Sequence, residues 1–582
     1  MSGGTMKEIK ADVLIIGSEA AGAKAAIEAQ DDGADVLVVS KGLVGKSGNT
    51  VMAGWGIQAP ISHMYEGDSP EVFFEDVVKG GAYLNNQKLL ERLVNLAVTE
   101  VPKMEKWGAK FMKKGEKFIQ FQLPGSSYPR TLHPVGRHGG LQWRKAFRIQ
   151  FKRLNTKVIE DLFVTKILVS DGKVAGVLGV SLRDGEFILI RSKIVLLATG
   201  GCTDMFLMND GSRDATGDGF VLALRAGAQL MDMEFHQCFP LSCYTPPFEF
   251  ATFTANLRYV LHGKMYNSLG EAFMERYLPL SKDWGLRDPT SRAIYLENKY
   301  GRGSPHGGAW IAVNHLPENL IDDWIQREKP AYIPKLEKAG IDIRKHALEC
   351  GPAAHYTMGG VRVNENCESA VQNLFAVGEV ASGPDGAERI DGGPAITWCL
   401  GMGYIAGKEA ARRVGELSWI DIDKDAIQAE QKRVTQIWER QGGVRGFEIK
   451  NKIKKIMWEE CALVRSGDGL DKALKVIDRI KREDLPNLTA RNSSKVLNKG
   501  LLEALEAQNM VEIAEMTVRS ALMREESRRS HYRTDFLNRD DKNWLKNTII
   551  KSEGDSIVFR PESPIITKMK PPTEEEVEKH DR

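Results

Sequence analysis

Residues 11–22 constrain this chain more than any others. Ala11-Asp12-Val13-Leu14-Ile15-Ile16 is a short, nearly continuous apolar run, and it stops at Gly17-Ser18-Glu19-Ala20-Ala21-Gly22. A run without polar alternation suits a parallel strand buried on both faces. Ala20–Ala29 has helix-forming composition, and Asp35–Val39 reads as a second strand. The first 40 residues are therefore a βαβ unit with a glycine turn between strand and helix. Gly17 permits the tight turn, and Gly22 lets the helix pack on the strand. The helix N-terminus then offers N–H groups and a positive dipole end to a pyrophosphate. Glu19 stands where such a turn usually has its middle glycine, so the turn alone also fits a ligand-free corner. The second strand ends in Ser40-Lys41, where an NAD site offers a carboxylate to the ribose; FAD is favoured.

The chain has 582 residues, enough for two to four folded units at ~100–200 residues each. Lys+Arg 80 against Asp+Glu 78 excludes recognition of nucleic acid by bulk positive charge. No apolar run approaches the ~20 residues of a membrane-spanning helix. Met1-Ser2-Gly3-Gly4-Thr5 lacks the basic and apolar regions of a secretory signal, so a cytoplasmic, reducing location is expected. The seven cysteines form no Cys-x-x-Cys, so neither a disulfide framework nor an iron–sulfur cluster held by this chain is expected.

Further strand-like runs are Lys193–Leu197, ending in Ala198-Thr199-Gly200-Gly201, and Asn373–Val377, ending in Gly378-Glu379. Residues 236–355 are richer in aromatics, proline and loop signals, as in an inserted domain. From about 416 the pattern turns to charged helical periodicity in Ile427–Gln441, Leu470–Arg482 and Lys499–Arg524. Pro571-Pro572-Thr573-Glu574-Glu575-Glu576 reads as solvated tail.

Several ordered segments then carry a resemblance. They are Lys46-Ser47-Gly48-Asn49-Thr50-Val51 with Ala53-Gly54-Trp55-Gly56, Ala198–Gly201, Thr216-Gly217-Asp218-Gly219, and Ser520–Arg528 followed by His531-Tyr532-Arg533 and Arg539–Trp544. From about residue 9 to 547 the chain resembles the flavoprotein subunit of fumarate reductase and succinate dehydrogenase. That family includes L-aspartate oxidase and, more distantly, the adenylylsulfate reductase α subunit. The resemblance implies an α/β architecture: a Rossmann-like FAD-binding domain (1–235 and 356–415), an inserted α+β capping domain (236–355), a C-terminal helical domain (416–550) and an extended tail (551–582). It places the FAD phosphates at Gly17, Ser18, Glu19, Ala20, Ala21 and Gly22, and the adenosine near Ser40, Lys41 and the Val164 backbone. The flavin would meet Ser47, Gly48, Asn49, Gly54, Gly56, Ala198, Thr199, Gly200, Gly201, Asp218, Glu379, Arg389, Ala395 and Ile396. Respiratory members often tether FAD through a His in this second loop. Here that loop carries Gly48 and Asn49, so FAD is expected to be noncovalent.

The family exchanges a hydride between flavin N5 and an activated C=C bond, with an Arg moving the proton. By resemblance Arg287 is that acid, His355 binds substrate and Arg389 clamps a carboxylate with its bidentate fork. Each has a plainer reading: Arg287 in an ion pair with Asp288, His355 in the core, Arg389 tied to Asp385 or Asp391. Other family positions differ. In Gln237-Cys238-Phe239-Pro240-Leu241, Phe239 and Leu241 replace a substrate-binding His and Thr, while His236 should point elsewhere. The Glu of the relay that feeds the Arg is absent from Ala255–Leu261, where Arg258 is a possible remnant, and one extra residue follows Arg389. A second carboxylate beside Phe239 would lack partners at a cost of several kcal/mol, so the substrate is expected to keep one carboxylate.

The resemblance implies an iron–sulfur partner, with any membrane attachment supplied by other proteins of the complex. Another enoate, an adenylylsulfate-reductase-like reaction, a flavin carrier that only transfers electrons and an O₂-using oxidase remain alternatives. No metal site is expected. Arg130, His133 and His138 read as a basic entrance or partner-contact loop, Cys238 and Cys243 as small buried residues, Trp398-Cys399 as packing near the flavin, and Arg524, Glu525, Glu526, Arg528 and Arg529 as an ion-pair network.

Overall fold

The computed structural model describes residues 6–137, 139–245, 252–328, 333–554 and 556–572. Strand Lys7–Ile16 lies between two parallel neighbours, Val36–Val39 and Phe187–Leu197. Its last residues are shielded on both faces, which is why the run shows no alternation. The full sheet has seven strands. Lys157–Ile159, Val36–Val39, Lys7–Ile16 and Phe187–Leu197 follow one another, and an antiparallel meander continues through Lys173–Ser181 to Leu162–Ser170. The short strand Leu374–Ala376 pairs in parallel with the C-terminal end of Phe187–Leu197.

Helix Ala20–Asp31 packs against helix Pro394–Val414 through small residues. A Cβ at Gly403 would sit 2.8 Å from Ala21 O, and one at Gly407 2.6 Å from Ala25 O. The alanine- and glycine-rich faces therefore let the two backbones approach closely over the first strand.

Residues 236–357 contribute a second, antiparallel sheet in the order His236–Thr245, Leu348–Thr357, Ala309–Ala312, Lys264–Tyr266. Helix Arg287–Lys299 packs on its first strand. This layer has its own apolar core, which includes Phe239, Leu241, Ile294, Ile311 and Trp324. Beyond it, helices Lys424–Glu439, Gly446–Cys461, Gly467–Arg479 and Lys499–Met523 pack together, and the last is buried along most of its length. No described helix is long and apolar enough to cross a membrane.

The reading of 551–582 as an extended tail is corrected. Asn547–Glu553 and Ser556–Glu562 form an antiparallel hairpin, which docks on Leu230–Met231 and straddles the expected end of the helical region at 550. Its first strand buries Ile549 and Ile550 completely, and that apolar pair holds the hairpin in the fold. Farther on, the Gln87 side chain accepts from the backbone N–H groups of Thr567, Lys568 and Met569. The acidic residues Glu574–Glu576 lie outside the described residues.

Candidate active site

A cavity of about 270 Å³ opens where the first strand, the 46–56 loop and the cap meet. The glycine turn closes one end. Gly17 has φ +108°, and a Cβ there would lie 2.1 Å from Ala198 O, so only glycine lets the two strand ends touch. Gly22 does the same for the helix: its Cβ would meet Gly17 O at 2.0 Å. Glu19 lines the cavity with its side chain folded against Gly48, where an added Cβ would fall 2.6 Å from Glu19 Cγ. Burial pushes the Glu19 carboxyl up to about 7, and nearby Asp214 adds to the effect.

At the second strand, Lys41 Nζ lies 2.8 Å from each of Thr216 Oγ1, Asp218 Oδ2 and Glu506 Oε1. Burial alone would lower the Lys41 ammonium, but the two carboxylates raise it. Asp218 is pushed up by burial, yet Lys41 and the Asn509 amide hold it below the usual carboxylate range. The 46–50 loop is fixed from the far side. Gly48 N–H donates to Asp214 Oδ2 at 3.0 Å, Ser212 N–H donates to Asn49 Oδ1 at 2.7 Å, and Asn49 Nδ2 donates to Glu379 Oε2 at 3.3 Å. Burial raises Glu379.

The other end of the cavity is cationic. Arg287, the first residue of its helix, donates from Nη1 to Gln237 Oε1 at 3.1 Å. Arg389 donates from Nη2 to the same oxygen at 3.3 Å, and its guanidinium lies 4.2 Å from the Tyr356 ring. The Nε of Arg287 is ion-paired with Asp391. Burial would lower both guanidiniums; Asp391 more than offsets this for Arg287, while Arg389 stays lowered because Arg287 adds to the effect. His355 Nδ1 lies 3.0 Å from Asp210 Oδ1, and burial outweighs that carboxylate to lower the imidazole. Phe239 completes the end: its ring is 5.4 Å from His355 and 5.2 Å from the Arg287 guanidinium.

The FAD binding domain family matches residues 12–394, and the fumarate reductase flavoprotein C-terminal family matches residues 450–577. The chain belongs to the fumarate reductase/succinate dehydrogenase flavoproteins. It is 36% identical over 530 residues to one of the subunits of the CoM/CoB fumarate reductase of Methanothermobacter marburgensis, covering 90% of this chain and 94% of that one. Among solved structures it is similar to Escherichia coli quinol fumarate reductase, with a TM-score of 0.88 and 28% identity over 98% of this chain and 99% of that chain. The Mycobacterium smegmatis Sdh1 complex gives a TM-score of 0.86 and 31% identity over 99% and 98%.

This flavoprotein is an FAD-dependent oxidoreductase. Its cavity fits FAD on grounds of its own. Gly200, at φ +75°, leaves open space where a Cβ would stand, and the buried Thr199 hydroxyl beside it has no hydrogen-bond partner among the described residues. Most residues singled out for cofactor and substrate line the cavity together, Val164, Ala395 and Ile396 included. Gly22 and Gly201 do not; they stand behind its wall, and a Cβ at Gly201 would lie 2.3 Å from Glu379 Oε1. Leu241 also misses the cavity and is buried in the cap core.

Other readings change. Arg287 pairs with Asp391 rather than Asp288, because the Asp288 side chain is hydrogen-bonded to Glu388, and burial together with that neighbour raises the Asp288 carboxyl. Arg130 and His133 form no basic entrance: both are buried, Arg130 against Asp68 and Asp76, His133 against Trp55 and Phe121. His138 lies outside the described residues. In the ion-pair cluster Glu525 faces solvent, and its place is taken by Glu234 and Asp541. Sequence reading missed Asp210 and Tyr259, and it offered Asp391 as a partner of Arg389 rather than of Arg287. The signal nearest to hand for Asp391 was the extra residue after Arg389; Asp210 and Tyr259 had none.

Proposed function

We propose that this chain transfers a hydride between flavin N5 and a carbon of a small enoate, or of the matching saturated acid in reverse, while Arg287 gives or takes the proton at the neighbouring carbon. When bound, FAD supplies the two-electron carrier. The chain's side chains do the rest. The observation that carries this reading is the pair of buried guanidiniums, Arg287 and Arg389, that share one neutral amide oxygen of Gln237. Asp391 balances Arg287, but among the described residues Arg389 has no ion pair and its buried Nε has no hydrogen-bond partner; that cation favours an anion, and a carboxylate can take both oxygens to it. The same field polarises a conjugated C=C bond and stabilises charge that develops on it.

The substrate we assign keeps one carboxylate, held by Arg389 and His355, and presents an apolar or aromatic group to Phe239. FAD is held without a covalent link, since the loop matching the tether carries Gly48 and Asn49. Electrons pass to or from an iron–sulfur partner; this is supported by the cysteine spacing, which holds no cluster motif, and by relatives named as subunits.

The test is anaerobic. The FAD-loaded chain is reduced with dithionite, and flavin absorbance is followed after addition of fumarate, crotonate or cinnamate. Faster reoxidation by the monocarboxylates is the expected result. Fumarate outpacing both would sink the substrate assignment, and no reoxidation by any enoate would sink the reaction.

A further inference from the structure

A guanidinium that hands a proton to carbon must take one back before the next turnover. Arg287 is only 9% exposed, so a protein group has to return it. Among the described residues, two groups meet its guanidinium through hydrogen bonds or ion pairs: Gln237 Oε1 and the Asp391 carboxylate. An amide oxygen does not carry protons at neutral pH; a carboxylate does. The other oxygen of Asp391 accepts from the Tyr259 hydroxyl at 3.0 Å. The Tyr259 oxygen in turn accepts from Arg258 Nη1 at 3.4 Å. Arg258 is no idle remnant: Asp283 O, Gly285 O and Thr290 Oγ1 hold it in place. The Tyr259 ring lies edge-on to Trp284, 5.7 Å away, and Trp284 and Gly285 line a second cleft open to solvent.

We propose that Asp391 and Tyr259 return the proton to Arg287, in place of the glutamate that the 255–261 segment lacks. The assignment rests on Arg287 being the acid. As Arg287 gives its proton to the substrate carbon, the Tyr259 O–H proton shifts to Asp391 and one passes from Asp391 to the neutral guanidine. The phenol oxygen, steadied by the Arg258 cation, regains a proton from water in the cleft. One solvent proton is consumed for each hydride delivered, and no further oxidant or reductant is needed. Asp391 and Tyr259 touch neither substrate nor flavin and are positioning residues in this sense. Burial, reinforced by Asp391, holds the Tyr259 hydroxyl well above the ordinary phenol range, so the proton is in place at neutral pH.

The test compares wild type, D391N, D391E and Y259F as FAD-loaded, reduced full chains, with crotonate as acceptor, or fumarate or cinnamate if either is faster. FAD affinity, read by flavin fluorescence, should stay within about twofold of wild type in all four and so reports an intact fold. Reoxidation of D391N should slow by about 10²–10⁴-fold. D391E should recover much of that rate, and Y259F should slow with a larger solvent deuterium isotope effect. In D391A, small carboxylic acids should restore rate to a degree that depends on the pKa of the added acid. An acceptor-independent arm places 3-fluorotyrosine at 259 and follows its ¹⁹F titration, which D391N should shift downward. A wild-type rate in D391N, rescue indifferent to acid pKa, or an unmoved titration would overturn the relay alone. If no enoate reoxidises even the wild type, the reaction is wrong and the relay falls with it.

Discussion

Asp210 holds His355 by one edge: Nδ1 lies 3.0 Å from Oδ1 and 3.1 Å from Oδ2. A carboxylate cannot donate, so Nδ1 carries the hydrogen, and in the neutral ring Nε2 is an acceptor. A substrate carboxylate held at this ring, as proposed above, would need a donor there and would therefore bind to the imidazolium. Since burial lowers His355 in the free chain, binding takes up a proton. Affinity should be highest below the free-state pKa and weaken as pH rises, by up to about tenfold per unit. In D210N the charge that opposes the lowering is gone, so KM should rise about tenfold near pH 7 with kcat less affected. A KM that ignores both pH and D210N would remove His355 from the carboxylate site.

Glu19 should make FAD binding sensitive to pH. Its carboxyl is pushed up to about 7, so the folded chain holds a proton there that the unfolded chain releases near 4.5. Stability from this group is full below pH 4.5 and is lost as pH rises through about 7. A bound pyrophosphate beside it favours the protonated form further. FAD should bind more tightly as pH falls from 8 to 6, and E19Q should flatten that dependence while tightening binding above pH 7. Flavin fluorescence against pH reads both.

The turn and the strands were legible because each is local, while Arg287 and Arg389 were singled out only through the family resemblance. Gly17–Gly22 is one corner of backbone, and its chemistry depends on neighbours within a few residues. Contacts across long sequence separations were not legible. Tyr259 and Asp391 are 132 residues apart. The partner of the 547–553 strand is at Leu230–Met231, so a segment read as tail proved to be the outer strand of a hairpin anchored by Ile549 and Ile550 just before it. Arg130 and His133 misled for the opposite reason: buried cationic groups look like surface ones until Asp68, Asp76 and Trp55 fold around them.

The proposed substrate makes Phe239 the residue that would select the acid. Its ring touches both His355 and Arg287, so a histidine there would add a polar partner at the uncovered substrate end. F239H should raise kcat/KM for fumarate at least tenfold and lower it for crotonate or cinnamate. Adding L241T should not help, because Leu241 is buried in the cap core and a hydroxyl there would lack a partner, costing about 1–3 kcal/mol. Thermal melts would show that cost, and steady-state kinetics the switch.

Lys41 joins the cofactor strand to helix Lys499–Met523 through Asp218 and Glu506. K41M would leave the Asp218 carboxylate, 11% exposed, without its cation and facing Glu506, 6% exposed, which keeps Lys450 at 2.8 Å. Breaking a buried pair in this way costs about 3–5 kcal/mol, and partial exposure brings the expected loss to about 2–3 kcal/mol. The melting temperature should drop by several degrees at pH 7. The sign with pH is that of an ordinary ion pair. In wild type the Asp218 contribution is present above its unfolded pKa and lost in acid, because Lys41 holds its folded pKa down. In K41M the penalty exists only while both carboxylates are charged, so acid relieves it. The gap between the two melting curves should therefore narrow from pH 7 to pH 4.5, and a gap that stays constant would mean that Lys41 acts through packing alone.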